Sequence, residues 1–208
     1  MDDLWGTIAQ ERGALAADLA GLDDAQWTTP SLCAGWSVRD VLAHMTNTAR
    51  TGPMGFLGGM AKAGFKFDKF AEAGIARQSG TSPADTLSRF ESVRTSTTAP
   101  PGPKTTWLGE AIVHAEDIRR PLGIAHDYPT DAVVEVMDFY KGSNVLIGGK
   151  NRVDGLTLRA TDTDWSHGSG PAVEGRAIDL LVAMTGRATA CDRLSGDGVE
   201  TLRSRGTA

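Results

Sequence analysis

Two ionisable side chains, Glu110 and His114, stand four residues apart in the stretch WLGEAIVHAEDIRRPLG, residues 107–123. A proline-rich segment precedes this stretch, and a proline and a glycine close it, so the pattern predicts one helix. Residues four positions apart share a helix face, so the carboxylate and the imidazole are expected to lie one above the other. The pair supplies two of the three protein ligands of an open metal site. Asp117, three positions further on, can accept the second N–H of a metal-bound imidazole.

A third ligand, His44, comes from a different predicted helix. Ser37 is a favourable N-cap and Asp40 stands where a carboxylate reaches back to the first turn, so a helix is predicted to begin with VRDVLAHMTNTAR. Val41 is predicted to face inward, and His44 lies three residues beyond it on the same side. Two imidazoles and one carboxylate suit zinc, and also iron, nickel or manganese. Three protein ligands leave a position open for a water or a thiol.

The spacing by itself leaves simpler interpretations open. A Glu/His pair four residues apart often arises by chance, and an inward-facing histidine such as His44 is commonly a hydrogen-bonded core residue. Arg119 and Arg120 can bind a substrate carboxylate, or they can interact with the C-terminus of their own helix. Arg176 is a further candidate for binding an anionic substrate. Cys33 lies between two tryptophans in the sequence, and we predict a buried structural thiol there rather than a nucleophile.

The remaining pattern predicts a mainly α-helical protein with a small α+β module at its C-terminus. The module begins where alternating apolar and polar residues replace the helical periodicity, which gives predicted domains at 1–150 and 151–208. The segment 52–70 combines glycine, methionine, phenylalanine and lysine. It is either a flexible lid or pocket wall, or a glycine-containing helix whose lysines extend to solvent. The other predicted elements are helices over 3–20, 82 to about 96, 131–148 and 177–187, a loop over 21–36 and a strand over 155–161.

Composition narrows the classes of partner. The chain has 208 residues, 40% of them hydrophobic, and a net charge of -5, which is ordinary for a soluble protein with a real core. It has no block of lysine and arginine, so nucleic acid is not an expected partner. It has neither an apolar run of about 18 residues nor the basic and apolar start of a signal peptide, so we expect no membrane partner. Two cysteines far apart in sequence fit a reducing cytoplasm.

Three blocks of the sequence together resemble the mycothiol-dependent maleylpyruvate isomerase-like proteins. These proteins belong to the DinB-like superfamily of metal-binding helical bundles. The resemblance implies a DinB-like four-helix bundle, with the metal near one end, followed by a small C-terminal α+β module. The blocks are WTTPSLCAGWSVRDVLAHM (27–45), GEAIVHAEDIRRPLG (109–123), and DWSHGSGPAVEGRAIDLLVAMTGR with LSGDG (164–198).

The same resemblance places His44, Glu110 and His114 at the three zinc-ligand positions of the family. It implies a divalent metal, zinc first and nickel or iron as alternatives, with mycothiol as a thiol cosubstrate. A metal-held thiolate can attack a small electrophile, which gives an isomerase or a thiol transferase. Two alternatives stay open: a hydrolase with a metal-bound hydroxide, and a metal-binding or small-ligand-binding protein without turnover. The resemblance names no substrate, no catalytic residue beyond the ligands and no oligomeric state.

Overall fold

The structure is a computed structural model, and it describes residues 4–145 and 147–206. Within these ranges the chain is mainly helical, with one small sheet near the C-terminus, so the predicted fold class is confirmed. The helices are α1 (Leu4–Leu19), α2 (Asp24–Trp27), α3 (Val38–Arg50), α4 (Pro53–Lys62), α5 (Phe67–Gln78), α6 (Pro83–Glu91), α7 (Lys104–Leu122), α8 (Thr130–Tyr140), α9 (Gly149–Val153), α10 (Ala177–Met184) and α11 (Val199–Ser204), with a 3-10 turn at Ala188–Arg193. The strands are β1 (Thr157–Ala160), β2 (Ser166–Gly168) and β3 (Ala172–Gly175).

Four helices form a closed ring in the N-terminal unit, which ends at His126. α1 packs against α6 and α7, and α3 packs against the same two helices. This ring is the predicted four-helix bundle. α5 packs against α3, and α4 packs against α5. The bundle therefore brings α3 and α7, the two helices that carry the predicted ligands, into direct contact.

Local sequence explains where α3 begins. The Ser37 hydroxyl accepts a hydrogen bond from the Asp40 backbone N–H at 3.2 Å, and the Asp40 carboxylate accepts one from the Ser37 backbone N–H at 2.9 Å. These reciprocal bonds satisfy two N–H groups that a helix start otherwise leaves without partners. Val41 and Met45 are completely buried on the inner face, as their spacing predicts. The position of His44 on α3 is thus fixed by a capped and well-packed helix.

The C-terminal unit begins at Asp127 and contains the sheet. Its strand order is β2-β1-β3, with β1 antiparallel to β2 and parallel to β3. α10 packs against the sheet and against α8. The packing of α8 on α10 lies within this unit, and the predicted domains at 1–150 and 151–208 stay a prediction.

Several segments differ in detail from the sequence-based expectations. The predicted loop 21–36 contains the short helix α2 and a β-bridge between Pro30 and Ser37. The helix predicted from residue 82 to about 96 ends at Glu91. The segment 52–70 forms α4, a turn and the start of α5.

Among the residues that the structure describes, no helix is both long and apolar enough to cross a membrane.

Candidate metal centre

The packing of α3 on α7 brings His44 and His114 together. Their ring centroids lie 5.0 Å apart, with the planes at 78° to each other. Glu110 lies one turn before His114 on α7, and Thr48 lies one turn after His44 on α3. The Thr48 hydroxyl is close enough to Glu110 to lower the pKa of its carboxyl group. Two side chains from each helix therefore meet at one place, with the helices antiparallel.

The Glu110 carboxyl group is buried without a hydrogen-bond partner. Neither oxygen accepts a hydrogen bond of normal geometry in the part of the chain that the structure describes, although Thr48 lies nearby. Burial raises the pKa of Glu110, and the positive charge of the buried Arg12 only partly offsets this increase. A buried carboxylate without donors is costly, because it has given up water without gaining a compensating hydrogen bond. The group is thus arranged to meet a cation.

His44 has the protonation state that a metal ligand needs. Burial and the neighbouring His114 lower the pKa of His44 to about 3, so the ring is neutral near neutral pH. Its Nδ1 atom is buried and has no hydrogen-bond partner among the described residues. The indole of Trp36 covers part of the ring, with the ring centroids 4.9 Å apart. A neutral imidazole in this setting offers a lone pair.

His114 is held on its other side by Asp117. The distance between His114 Nδ1 and Asp117 Oδ2 is 2.8 Å, and the Asp117 side chain is fully buried. Although burial opposes the charged ring, the hydrogen bonds from His114 to Asp117 and Cys33 outweigh it and raise the pKa of His114 to about 10. Because Nδ1 faces this carboxylate, Nε2 is the nitrogen left for a ligand. Asp117 therefore has the contact that the sequence assigned to it, and its supporting role stays a prediction.

The prediction that Cys33 is a buried structural thiol is wrong. Its Sγ lies 3.0 Å from Asp117 Oδ2 and 3.7 Å from His114 Nδ1. The side chain is only partly buried, and it contacts the candidate site instead of filling the core. A contact between residues more than eighty positions apart leaves no trace in local spacing. The one indication in the sequence that Cys33 lies near the site is that Cys33 and His44 both fall within residues 27–45, a block that resembles the family.

A proline in α7 explains why Cys33 reaches the site. Pro121 lies inside the last turn of α7 and has no backbone N–H, so the Asp117 carbonyl loses its usual helical donor. The backbone N–H of Leu32 donates to that carbonyl instead, at 3.2 Å. This bond ties the loop before α3 to the ligand helix, and Cys33 is the next residue along the loop.

Among the described residues, one set of possible ligands is close enough to share a metal, and it is not the predicted set of His44, Glu110 and His114, which stays a prediction. Ligand atoms of Cys33, His114 and Asp117 all lie within 4.8 Å of one another. This set uses Nδ1 of His114, whereas His44 and Glu110 would share a metal with Nε2. The atoms of the Cys33 set already hydrogen-bond to one another, while both oxygens of Glu110 and Nδ1 of His44 have no such partner.

The three candidate substrate-binding arginines all lie in ion pairs. Arg119 is completely buried, and its guanidinium lies 2.7 Å from the Asp18 carboxylate. Arg120 lies 2.7 Å from Glu116, one turn earlier on α7. Arg176, in the C-terminal unit, is exposed and pairs with two aspartates. The contribution of these arginines to substrate binding stays a prediction.

Comparison with known proteins finds one family model that matches most of the N-terminal unit. Residues 8–102 match the family model of the mycothiol maleylpyruvate isomerase N-terminal domain. This match covers slightly less than half of the chain. The matched part includes His44 and Cys33 and ends before α7. Among curated proteins, no sequence matches the chain.

Two solved structures share the fold of this chain. One is a crystal structure of the mycothiol-dependent maleylpyruvate isomerase, with a TM-score of 0.63. The other is a mutant of that enzyme with one histidine replaced by alanine, with a TM-score of 0.62. Each is 16% identical to this chain, over 93% of this chain and 91% of the other. At this identity the likeness concerns the fold, and it extends through both units.

Proposed function

We propose that the protein is a cytoplasmic, metal-dependent enzyme that uses mycothiol, as an isomerase or a thiol transferase acting on a small electrophile. His44, Glu110 and His114 hold a divalent cation in this proposal, with zinc first and nickel or iron as alternatives. The match of residues 8–102 to the mycothiol maleylpyruvate isomerase N-terminal domain supports the thiol and the isomerase class. The geometry of α3 and α7 supports the ligand set.

The buried, unpartnered carboxyl group of Glu110 is the observation that carries the proposal. Neither oxygen accepts a hydrogen bond of normal geometry from any described residue, and the rings of His44 and His114 meet on the same helix pair. A bound cation would neutralise this carboxylate and would occupy the place of the missing donors. The residues present therefore fit a divalent metal in number, type and charge.

The choice between the two faces of His114 follows from its hydrogen bond. Asp117 accepts from Nδ1, so this face is already satisfied without a metal. Carboxylate–histidine pairs of this kind orient the ring and make the opposite nitrogen a better ligand. A site on Nδ1 would have to break the bonds of Asp117 to both His114 and Cys33. We therefore assign the metal to Nε2, together with His44 and Glu110.

Each of the chain's own residues has a defined task in this site. His44 is neutral and needs no deprotonation to bind. Asp117 fixes the ring of His114, and Trp36 covers one side of His44 and limits access by water. A divalent metal bound there would act as a Lewis acid that lowers the pKa of a thiol or a water in its open position.

The proposed reaction needs no redox partner. The thiolate of the cosubstrate adds to a carbon of a double bond that is conjugated to a carbonyl, so a C–S bond forms and the double bond becomes single. Rotation about the new single bond, followed by expulsion of the thiolate, gives the other geometric isomer and returns the thiol unchanged. If a proton captures the adduct before expulsion, the product is a thiol conjugate. The two outcomes define the isomerase and the transferase versions of the proposal.

Thiol dependence is the experiment that tests this function. Zinc-loaded protein is incubated with a panel of cis-configured unsaturated keto acids and diacids, with mycothiol, with glutathione, or without thiol, and the products are followed by NMR. We expect turnover only with thiol, and faster turnover with mycothiol. Hydrolysis of activated esters without any thiol would support the hydrolase instead. Binding of zinc and mycothiol by calorimetry without consumption of any substrate would support a binding protein.

A matched pair of variants connects that activity to the site. Glu110→Gln removes the charge while keeping the shape of the side chain, and it should abolish turnover together with metal binding. Glu135→Gln, on α8 of the C-terminal unit, makes the same chemical change at a residue that is not a predicted ligand and should retain both. Full thiol-dependent turnover in the Glu110→Gln variant would contradict the assignment.

A further inference from the structure

The helix α4 is apolar along its length and has no buried residue. One side of it packs on α5, where the rings of Phe56 and Phe70 meet with centroids 5.3 Å apart. Gly59 permits this approach, because a Cβ atom there would lie 2.6 Å from the Phe70 ring. The residues of the other side, Met54 and Leu57, are 80% and 57% exposed. The helix thus packs on its neighbour and still presents a row of large apolar side chains to solvent.

The turn after α4 adds a third exposed apolar side chain and holds it in a strained conformation. The N–H of Phe65 donates to the Met60 carbonyl at 2.8 Å, and the N–H of Gly64 donates to Ala61 at 3.1 Å, the paired bonds of a Schellman motif. Phe65 follows Gly64 in the left-handed region, with φ of 59°, and its side chain is 70% exposed. A bulky residue adopts this conformation at a cost, and such strain is concentrated at functional positions.

Exposed lysines alternate in sequence with these apolar residues. Lys62, Lys66 and Lys69 are all exposed, and Asp68 is the one acidic residue between positions 53 and 70. The whole chain, in contrast, has a net charge of -5. We call this surface the α4–α5 tip; it comprises Met54, Leu57, Phe65 and Phe67 with Lys62, Lys66 and Lys69.

We propose that the α4–α5 tip binds the surface of an anionic lipid bilayer. Exposed apolar side chains bordered by lysines are the chemistry that inserts shallowly between headgroups while pairing with their negative charge. A second copy of this chain fits the tip less well, because a symmetric contact would place the lysines of both copies against one another. The acidic remainder of the chain would be repelled by the same membrane, which fixes the orientation of bound protein.

This proposal departs from the sequence-based expectation of no membrane partner. That expectation rested on the absence of a long apolar run, which concerns segments that span a bilayer. A surface contact needs only a short apolar patch and a few cations. The proposal is independent of the metal site, so the failure of one leaves the other standing.

Vesicle binding tests the proposal. The full-length protein is sedimented with vesicles of phosphatidylcholine alone, and with vesicles in which one third of the lipid is phosphatidylglycerol. We expect binding to the anionic vesicles alone, and we expect it to weaken as salt is raised. Equal binding to both kinds of vesicle, or binding to neither, would overturn the proposal.

Variants locate the contact on the protein. Phe65→Ser should weaken partitioning about thirtyfold, the loss expected for one large apolar side chain. Lys62→Gln and Lys66→Gln should each weaken it about fivefold. The matched controls are Val145→Ser, at a residue 72% exposed in the C-terminal unit, and Lys150→Gln, and both should bind as the parent does. Helix content measured by circular dichroism checks that each variant is folded.

A fluorescent reporter gives a second readout. Phe65→Trp should show a blue-shifted emission with anionic vesicles and should be quenched by lipids brominated near the headgroup end of the acyl chain. If Phe65→Ser instead removes a concentration-dependent dimer detected by light scattering, and vesicles leave the Phe65→Trp emission unchanged, the tip is a contact between copies and the lipid proposal is wrong.

Discussion

Loading a metal onto His114 should release a proton, and Asp117 should set the size of that release. Since the pKa of His114 is about 10, the charged ring outnumbers the neutral ring about 300-fold at a pH of about 7.5. A metal binds the neutral ring, so loading at Nε2 releases about one proton from His114. His44, with a pKa of about 3, has no proton to release. The predicted release from the two histidines is therefore about one proton per metal ion.

The variant Asp117→Asn keeps the shape of the side chain and removes its charge. Without the carboxylate, the His114 pKa falls from about 10 toward its ordinary value of 6.5, because burial opposes the charged ring. At a pH of about 7.5, a ring with that ordinary pKa holds only about one tenth of a proton. The release from His114 should accordingly fall by almost one proton. Any proton that Glu110 gives up is common to both proteins and does not change the difference.

Isothermal titration calorimetry measures this difference. Zinc is titrated into metal-free protein in several buffers of equal pH but different ionisation enthalpy, and the slope of observed enthalpy against ionisation enthalpy is the number of protons released. Asp197→Asn, at an exposed position of the C-terminal unit, makes the same chemical change and should give the parent slope. Equal slopes for the parent and Asp117→Asn would refute the argument that this carboxylate holds a proton on His114.

Three further predictions concern stability, each measured as the free energy of unfolding in urea. In the metal-free protein, the raised pKa of His114 stabilises the fold below pH 6.5, and this contribution is lost as the pH rises toward about 10. The lowered pKa of His44 stabilises the fold above pH 6.5, and this contribution is lost as the pH falls toward about 3. The alkaline loss of stability should disappear in His114→Gln, and the acidic loss should diminish in His44→Gln. Phe90→Ala should cost about 3–5 kcal/mol because this side chain is completely buried, whereas Phe65→Ala should change stability by less than about 0.5 kcal/mol. Arg119→Ala should cost about 3 kcal/mol, because it removes a completely buried side chain and its ion pair with the partly exposed Asp18, and an unchanged stability would contradict this account.

Local chemistry made the ligand helices predictable. Ser37 and Asp40 form the capping box that their spacing indicates, and Gly123 ends α7 in the left-handed conformation that favours glycine. The i, i+4 spacing of Glu110 and His114 also places them on one helix face without any tertiary information. The mainly helical class followed from the same periodicity.

Contacts between residues far apart in the sequence could not be predicted from local patterns. Cys33 reaches Asp117 because Pro121 frees a carbonyl for the loop, which is a consequence of packing rather than of local pattern. Arg119 is a plausible anion binder from its type alone, yet its burial against Asp18 depends on how α1 meets α7. The sequence also did not predict where α4 begins and ends, because its glycines and phenylalanines are typical of a flexible lid as well as of a helix that packs on one side.

Metal content per chain tests the central claim most directly. Parent protein, Glu110→Gln and Cys33→Ser are loaded with zinc, dialysed under identical conditions and analysed by plasma mass spectrometry. We expect about one zinc per chain in the parent and in Cys33→Ser, and almost none in Glu110→Gln. Full zinc in Glu110→Gln together with its loss in Cys33→Ser would contradict the account, because the metal would then lie on the Cys33 side of His114.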